Sequence, residues 1–157
     1  MTSFKITHAL PEHIEELCSI GAECGLSPWT PEGYESEMQR PDSNILIAVD
    51  FGGQILGFIV GRADPDVGDS VDAPAEIYNI GTRSQFRKAG VGSMLLNRFL
   101  ELCRSRGAAQ VWLEVRASNY EAKAFYYSRG FLKGTVRKKF YTAPVEDAEV
   151  MYLELAV

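Results

Sequence analysis

Ala75-Glu76-Ile77-Tyr78-Asn79-Ile80-Gly81-Thr82, then Arg87-Lys88-Ala89-Gly90-Val91-Gly92-Ser93, then the spaced apolar residues Leu95, Leu96, Phe99, Leu100 and Cys103 decide the fold of this chain. Ala75–Thr82 reads as a strand. Gly92–Arg106 reads as a helix, because its apolar residues recur on one face, and Gly107 stands where a C-terminal cap belongs. Between the two, a pair of glycines one residue apart lets the backbone turn sharply and approach a ligand closely. The free N–H groups of the first helical turn and the positive end of the helix dipole then offer an anion site, to which Arg87 and Lys88 add charge. A Gly-x-Gly turn also serves purely steric ends at many strand–helix junctions. Spacing excludes two better-known alternatives. A P-loop requires Lys and Ser/Thr after the second glycine, where Ser93-Met94 stand, and the dinucleotide fingerprint requires a third glycine, where Leu95 stands.

On the N-terminal side, Phe4 and Ile6 suggest a short strand. Pro11 opens a helical pattern through Ile14, Leu17 and Cys18 to about Gly25, and Thr30 with Pro31 caps a second helix that ends before Pro41. Asn44–Val49 and Ile55–Gly61 form a hairpin around Asp50-Phe51-Gly52-Gly53, followed by a loop over Arg62–Pro74. On the C-terminal side, Gln110–Val115 is a strand. Ser118-Asn119-Tyr120-Glu121 matches a capping box opening a helix that Gly130 closes, and Leu132–Arg137 and Val150–Leu155 are the last strands. Hairpins at both ends and a β-α-β-α-β stretch between them predict an α/β fold with a mixed, mostly antiparallel sheet of six to seven strands and helices on both faces. With 157 residues and no evident linker, 1–157 reads as a single domain.

Composition narrows the function. Apolar residues at 46% are ordinary globular usage, and no apolar run reaches the length of a membrane span. The net charge of −5 gives no footprint for nucleic acid. Cys18, Cys24 and Cys103 are an odd number without a C-x-x-C pair, which favours reduced thiols in the cytoplasm over disulfides or a metal site.

The R-x-x-G-x-G turn at a strand–helix junction resembles motif A of the GNAT N-acetyltransferase superfamily. Trp112-Leu113-Glu114-Val115-Arg116-Ala117-Ser118-Asn119, Ala124-Phe125-Tyr126, Gly130-Phe131, Arg137-Lys138-Lys139-Phe140-Tyr141, and Asp147-Ala148 with Met151-Tyr152-Leu153 are similar to its RimI group, which acetylates protein N-termini. The similarity is good over Ala75–Leu155; before it only Pro28-Trp29 stands out. The resemblance implies a GNAT fold and acetyl-CoA as cofactor. It places the general base on Glu114 and the general acid on Tyr126. Cofactor contacts fall on Ile80, Gly81 and Thr82, on the cradle Arg87, Lys88, Ala89, Gly90, Val91, Gly92 and Ser93, and on Asn119. Trp29 and Tyr141 would border the acceptor. Thr82-Arg83-Ser84 replaces the group's Val-x-Pro, and Phe140 replaces the first tyrosine of its Tyr-Tyr pair, so any role for that hydroxyl is absent here.

An N-terminal amine titrates near pH 8 and a lysine near 10.4, so a base must remove a proton before attack. Glu114 suits that task if its face of the strand meets a pocket; otherwise it is a solvated strand residue. Glu76 is the rival base, at the strand position used by several lysine-acetylating GNAT enzymes. A tyrosine fits protonation of the departing thiolate, and either Tyr126 or Tyr127 can instead be packing aromatics. Asn119 serves as helix cap, cofactor ligand or both. Asp64, Asp66, Asp69 and Asp72 form an acidic loop that reads as solvated, and His8 and His13 carry no assigned chemistry. No cysteine falls at a motif position, which favours direct transfer in a ternary complex over an acetyl-cysteine intermediate. The expected partners are acetyl-CoA and either a protein N-terminus or a small amine, the protein being monomeric or a homodimer without membrane or nucleic-acid partners. A non-catalytic acyl-CoA-binding module is the remaining class.

Overall fold

The computed structural model describes residues 3–26, 29–64 and 74–155. Its elements are β1 (Phe4–His8), α1 (Ile14–Glu23), α2 (Pro31–Met38), β2 (Ser43–Asp50), β3 (Ile55–Arg62), β4 (Ala75–Thr82), α3 (Val91–Ser105), β5 (Gln110–Arg116), α4 (Tyr120–Ser128), β6 (Leu132–Thr142) and β7 (Val145–Glu154). Short 3₁₀ turns occupy Pro11–His13 and Ser84–Phe86. The strands form one sheet in the order β1-β2-β3-β4-β5-β7-β6, in which β4–β5 is the one parallel pair among the described residues.

Period-two alternation sends successive strand residues to opposite faces, and each face has its own core. Leu17, Ile20 and Tyr34 of α1 and α2 pack with Ile47, Phe58 and Val60 on one side. Leu95, Leu96 and Phe99 of α3, with Tyr126 and Phe131, pack with Ile59, Val111 and Leu113 on the other. Burying each large apolar side chain contributes roughly 1.5–3 kcal/mol, so the two cores fix which faces of the sheet the helices cover. Gly61 makes room for α3, because a Cβ there would lie 2.3 Å from the ring of fully buried Phe99.

Four local expectations are corrected. α1 begins at Ile14, after a 3₁₀ turn over the Pro11 segment, and α3 begins at Val91 rather than Gly92. The last two strands are much longer than Leu132–Arg137 and Val150–Leu155: β6 is largely exposed, so its residues carry no apolar alternation, and pairing with β7 extends it to Thr142. The capping box from Ser118 does not form, and α4 is capped by Asn119, the other residue read as its cap. The Ser118 N–H is drawn instead to Glu146 Oε2 on β7 at 2.6 Å, and Asn119 Oδ1 accepts from the Ala122 N–H at 3.1 Å. β7 also enters the sheet between β5 and β6, antiparallel to both. Pro28, Asp66, Asp69 and Asp72 lie outside the described residues. Among the described residues no helix is long and apolar enough to cross a membrane.

Candidate active site

β4 runs directly into the cradle. The Arg83 N–H donates to Leu56 O and the Phe86 N–H to Arg83 O, both at 2.9 Å, which closes the 3₁₀ turn. Arg87 is then extended, Lys88 takes φ 63° and Gly90 φ 85°, and the chain enters α3. Gly90 is the N-cap and has no side chain, so no side-chain oxygen covers the amides of the first turn. Those amides and the positive helix end remain available to an anion. Lys88 holds a left-handed backbone at a cost of roughly 1 kcal/mol, which the turn imposes beside Gly90.

From the cradle a groove of about 450 Å³ extends between β4 and α4. Ile80, Gly81 and Thr82 form one wall, Arg87, Lys88, Gly90, Val91, Gly92 and Ser93 the turn, and Asn119, Ala122, Phe125 and Tyr126 the facing wall. Ala89 does not line it. Cys24 and Leu26, just past α1, close one side, with Cys24 Sγ 3.2 Å from Thr82 O. Apolar walls at one end and uncapped amides with two cations at the other fit an extended acyl-bearing chain that ends in phosphates. The strands are close-packed here: a Cβ at Gly57 would sit 2.6 Å from Gly81 O, and one at Gly81 would sit 3.1 Å from Cys24 Sγ.

The sheet opens beside this groove. β4 and β5 pair only over Ala75–Ile77 and Val111–Leu113. Immediately afterwards the β3–β4 register slips, Gly61 opposing Ile77 and Val60 opposing Asn79, so Tyr78 is the extra residue of a bulge. Beyond that point β4 pairs with β3 alone, and Glu114 and Val115 of β5 pair with Val150 and Glu149 of β7. Ile80–Thr82 therefore border an opening through the sheet.

On the groove side, Asn119 uses its side-chain oxygen as the cap, and its NH₂ is a separate donor beside the lining. Tyr126 is 5% exposed, with ring centroids of Phe125 and Phe131 each 5.4 Å away. Burial, then the neighbouring Tyr141, pushes its phenol well above the usual range and keeps it protonated. Tyr127 lies off the groove and donates to Glu149 Oε2 at 2.8 Å.

The carboxylates lie across the sheet. Val111, Leu113 and Val115 enter the α3 core, so Trp112, Glu114 and Arg116 point to the opposite face, and Glu76 is the register partner of Trp112. Glu114 is about a third exposed, its Oε1 accepting from Arg137 Nη1 at 2.9 Å. Tyr141 is held under the Arg116 guanidinium at 4.2 Å, and burial followed by the charge of Glu114 raises its phenol. Glu76 Oε2 accepts from the Tyr78 hydroxyl at 2.6 Å. Arg62 donates to that hydroxyl at 3.3 Å, lies over the Tyr78 ring, and forms a two-pronged pair with buried Glu37 at 2.7 and 2.8 Å. Burial, with the Glu76 bond, pushes Tyr78 up to about 12. Trp29 packs against Tyr34 at 5.3 Å and Tyr78 at 6.4 Å. Neither Trp29 nor Tyr141 touches the groove.

Sequence reasoning passed over Cys24, Leu26, Phe125, Tyr78 and Arg62. For Phe125 a signal existed: Phe125 and Tyr126 follow Ala122 by three and four residues, which puts them on its helical face. For Cys24 and Leu26 there was none, because the end of α1 meets β4 only through the tertiary fold.

A strand–helix turn with uncapped amides beside an opened parallel pair fits an acyltransferase, and residues 14–131 match the acetyltransferase (GNAT) family, to which the chain belongs. The chain is an N-acetyltransferase, and acetyl-CoA is its acyl donor. It is similar to the ribosomal protein bS18-alanine N-acetyltransferase of Escherichia coli K12, with 30% identity over 132 residues and 83% of each chain covered. Among solved structures, the E. coli ribosomal-protein-S18-alanine N-acetyltransferase superimposes with TM-score 0.83 at 27% identity, over 99% of this chain and 96% of that one. Chaetomium thermophilum Naa20 with a bisubstrate analogue gives TM-score 0.82 at 25% identity, over 96% and 86%.

Proposed function

We propose that the chain acetylates the N-terminal amino group of a protein, with the acceptor reaching the sheet opening from the α1/α2 face and the cofactor lying in the groove on the α3/α4 face. The opening between β4 and β5 carries this reading: it joins the groove that Tyr126 lines to the face that bears Glu114 and Glu76. Bound acetyl-CoA supplies an acetyl group activated as a thioester. The amides of Val91, Gly92 and Ser93, with Arg87 and Lys88, hold its phosphates, and Ile80–Thr82 and Asn119 hold the arm that leads to the thioester. Ala89 serves the cradle through its backbone.

Glu114 accepts the proton of the attacking amine, directly or through a water, and Arg137 fixes the orientation of its carboxylate. Glu76, fixed by Tyr78, is the second carboxylate on the same face. A backbone N–H of the open strand β4 polarises the thioester carbonyl, and Tyr126 gives its proton to the departing thiolate. Trp29 and Tyr141 border the acceptor. The three free thiols, Cys18, Cys24 and Cys103, suit a cytoplasmic setting.

Relatives that act on bS18 alanine and the Naa20 likeness support the peptide acceptor. The experiment is thiol release from acetyl-CoA with peptides of differing first residue, each also tested with its N-terminus blocked. Transfer that needs the free α-amine is expected, and Tyr126→Phe lowers kcat about 10²- to 10⁴-fold without weakening CoA binding. Transfer to polyamines or free amino acids but to no peptide turns the assignment to a small-molecule acceptor.

A further inference from the structure

We infer that Arg129 is a phosphate-binding residue of the acetyl-CoA site, acting from the α4 side on the cradle that Arg87 and Lys88 supply with charge from the β4–α3 turn. Arg129 is the C-cap residue of α4 and is exposed. Nη2 reaches across to Ser93 Oγ in the first turn of α3, and Cζ lies 5.4 Å from the ring centroid of Phe125. Ser93 and Phe125 both line the groove. Six other arginines, Arg40, Arg62, Arg83, Arg98, Arg116 and Arg137, each have a carboxylate from another position of the chain within 4 Å, whereas no ion pair among the described residues includes Arg129.

The chemistry of that arrangement points to an anion. A serine hydroxyl is a neutral partner for a guanidinium, whereas a phosphate carries the opposite charge and can take two parallel N–H groups at once. The planar fork can present two parallel N–H groups, and its packing on Phe125 limits the rotamer freedom lost on binding. Once the guanidinium turns to a phosphate, the Ser93 hydroxyl is released to donate to the same group. The cation at the end of α4 also complements that helix's dipole, but this effect needs no contact with α3 and no ligand.

The inference is independent of which amine is acetylated, and binding tests it without turnover. CoA, dephospho-CoA and pantetheine are titrated calorimetrically into the protein and into Arg129→Gln, pantetheine at millimolar concentration. The expected result is CoA binding weakened about 10- to 100-fold with pantetheine unaffected and an unchanged Tm. If dephospho-CoA weakens equally, the phosphate held is in the pyrophosphate; if it does not weaken, the 3′-phosphate is held. Either outcome supports the assignment. Unchanged CoA affinity, or the same loss for pantetheine as for CoA, overturns it. Should Arg129→Gln lower the Tm, Arg129→Lys carries the test: it keeps the cation and loses the fork, and CoA affinity should fall part of the way with pantetheine still unaffected.

Discussion

The two substrate-facing halves of the molecule are built in different ways. The cofactor half is nearly continuous in sequence: β4 supplies a wall, the next residues supply the turn, and the first turn of α3 supplies the amides, with α4 added from a little further on. The face proposed for the acceptor draws Trp29 from the α1–α2 connection, Arg62 from β3, Glu76 and Tyr78 from β4, Glu114 from β5, and Arg137 and Tyr141 from β6. A binding site for a constant ligand is carried by a rigid local motif, whereas the face for a variable acceptor is assembled from many elements and changes with any of them. Helix ends and glycines do the work in the first half; side-chain bonds such as Tyr78–Glu76 and Arg137–Glu114 do it in the second.

The sharpest way to break this division is to neutralise the carboxylates one at a time. Glu114→Gln is expected to lower kcat about 10²- to 10⁴-fold with CoA affinity intact, and Glu76→Gln to cost less. Steady-state kinetics with calorimetry of CoA binding decides it, and the reverse order moves the base to Glu76. A loss of CoA affinity in either variant would show that the halves are not separable.

Gly57→Ala probes the opposite half from outside the cradle. Its Cβ would stand 2.6 Å from Gly81 O, a backbone atom that cannot swing away, so β3 and β4 must separate beside the groove. Overpacking of this kind costs about 1–3 kcal/mol, read as a lower Tm, and CoA affinity should fall with it about tenfold. Unchanged CoA binding would detach the Ile80–Thr82 wall from the cofactor.

The smallest effect concerns the support beneath the acceptor face. Burial alone would raise the Glu37 carboxyl, but the hydrogen bond and charge of Arg62 outweigh it and hold it below its ordinary 4.5. A depressed folded-state pKa contributes stability that is present above the unfolded value and lost as pH falls through the folded one. The wild type should therefore exceed Glu37→Gln by about 1–2 kcal/mol at neutral pH, less than for a fully buried pair because Arg62 is 29% exposed. Denaturation midpoints should show that gap constant above about pH 5 and closing as pH falls below 4.5.

Much of the cofactor half was legible because its signals are local. The Gly-x-Gly turn and the apolar face of α3 report on contacts within one strand–turn–helix unit. The capping frame of α4 shows where such reading stops: Ser118-x-x-Glu121 is a sound local pattern, yet Glu146, far along the chain, takes the Ser118 amide and moves the cap to Asn119. Lys133, Lys138 and Lys139 give β6 no strand periodicity, and it forms because β7 lies beside it. The bond from Arg62 to Tyr78 joins residues of different strands, and no spacing in the chain announces it.

The strand–turn–helix cradle, the α/β class and the family resemblance could be read from the chain alone, since these depend on neighbouring residues and periodicity. Folding of the whole chain placed β7 between β5 and β6, parted β4 from β5 after Ile77 and Leu113, and set the carboxylates on the face away from the groove. It also brought Arg129 to Ser93. These features follow from which faces are buried and which strands pair across long loops, and those choices are settled by the two cores together, not by any one segment.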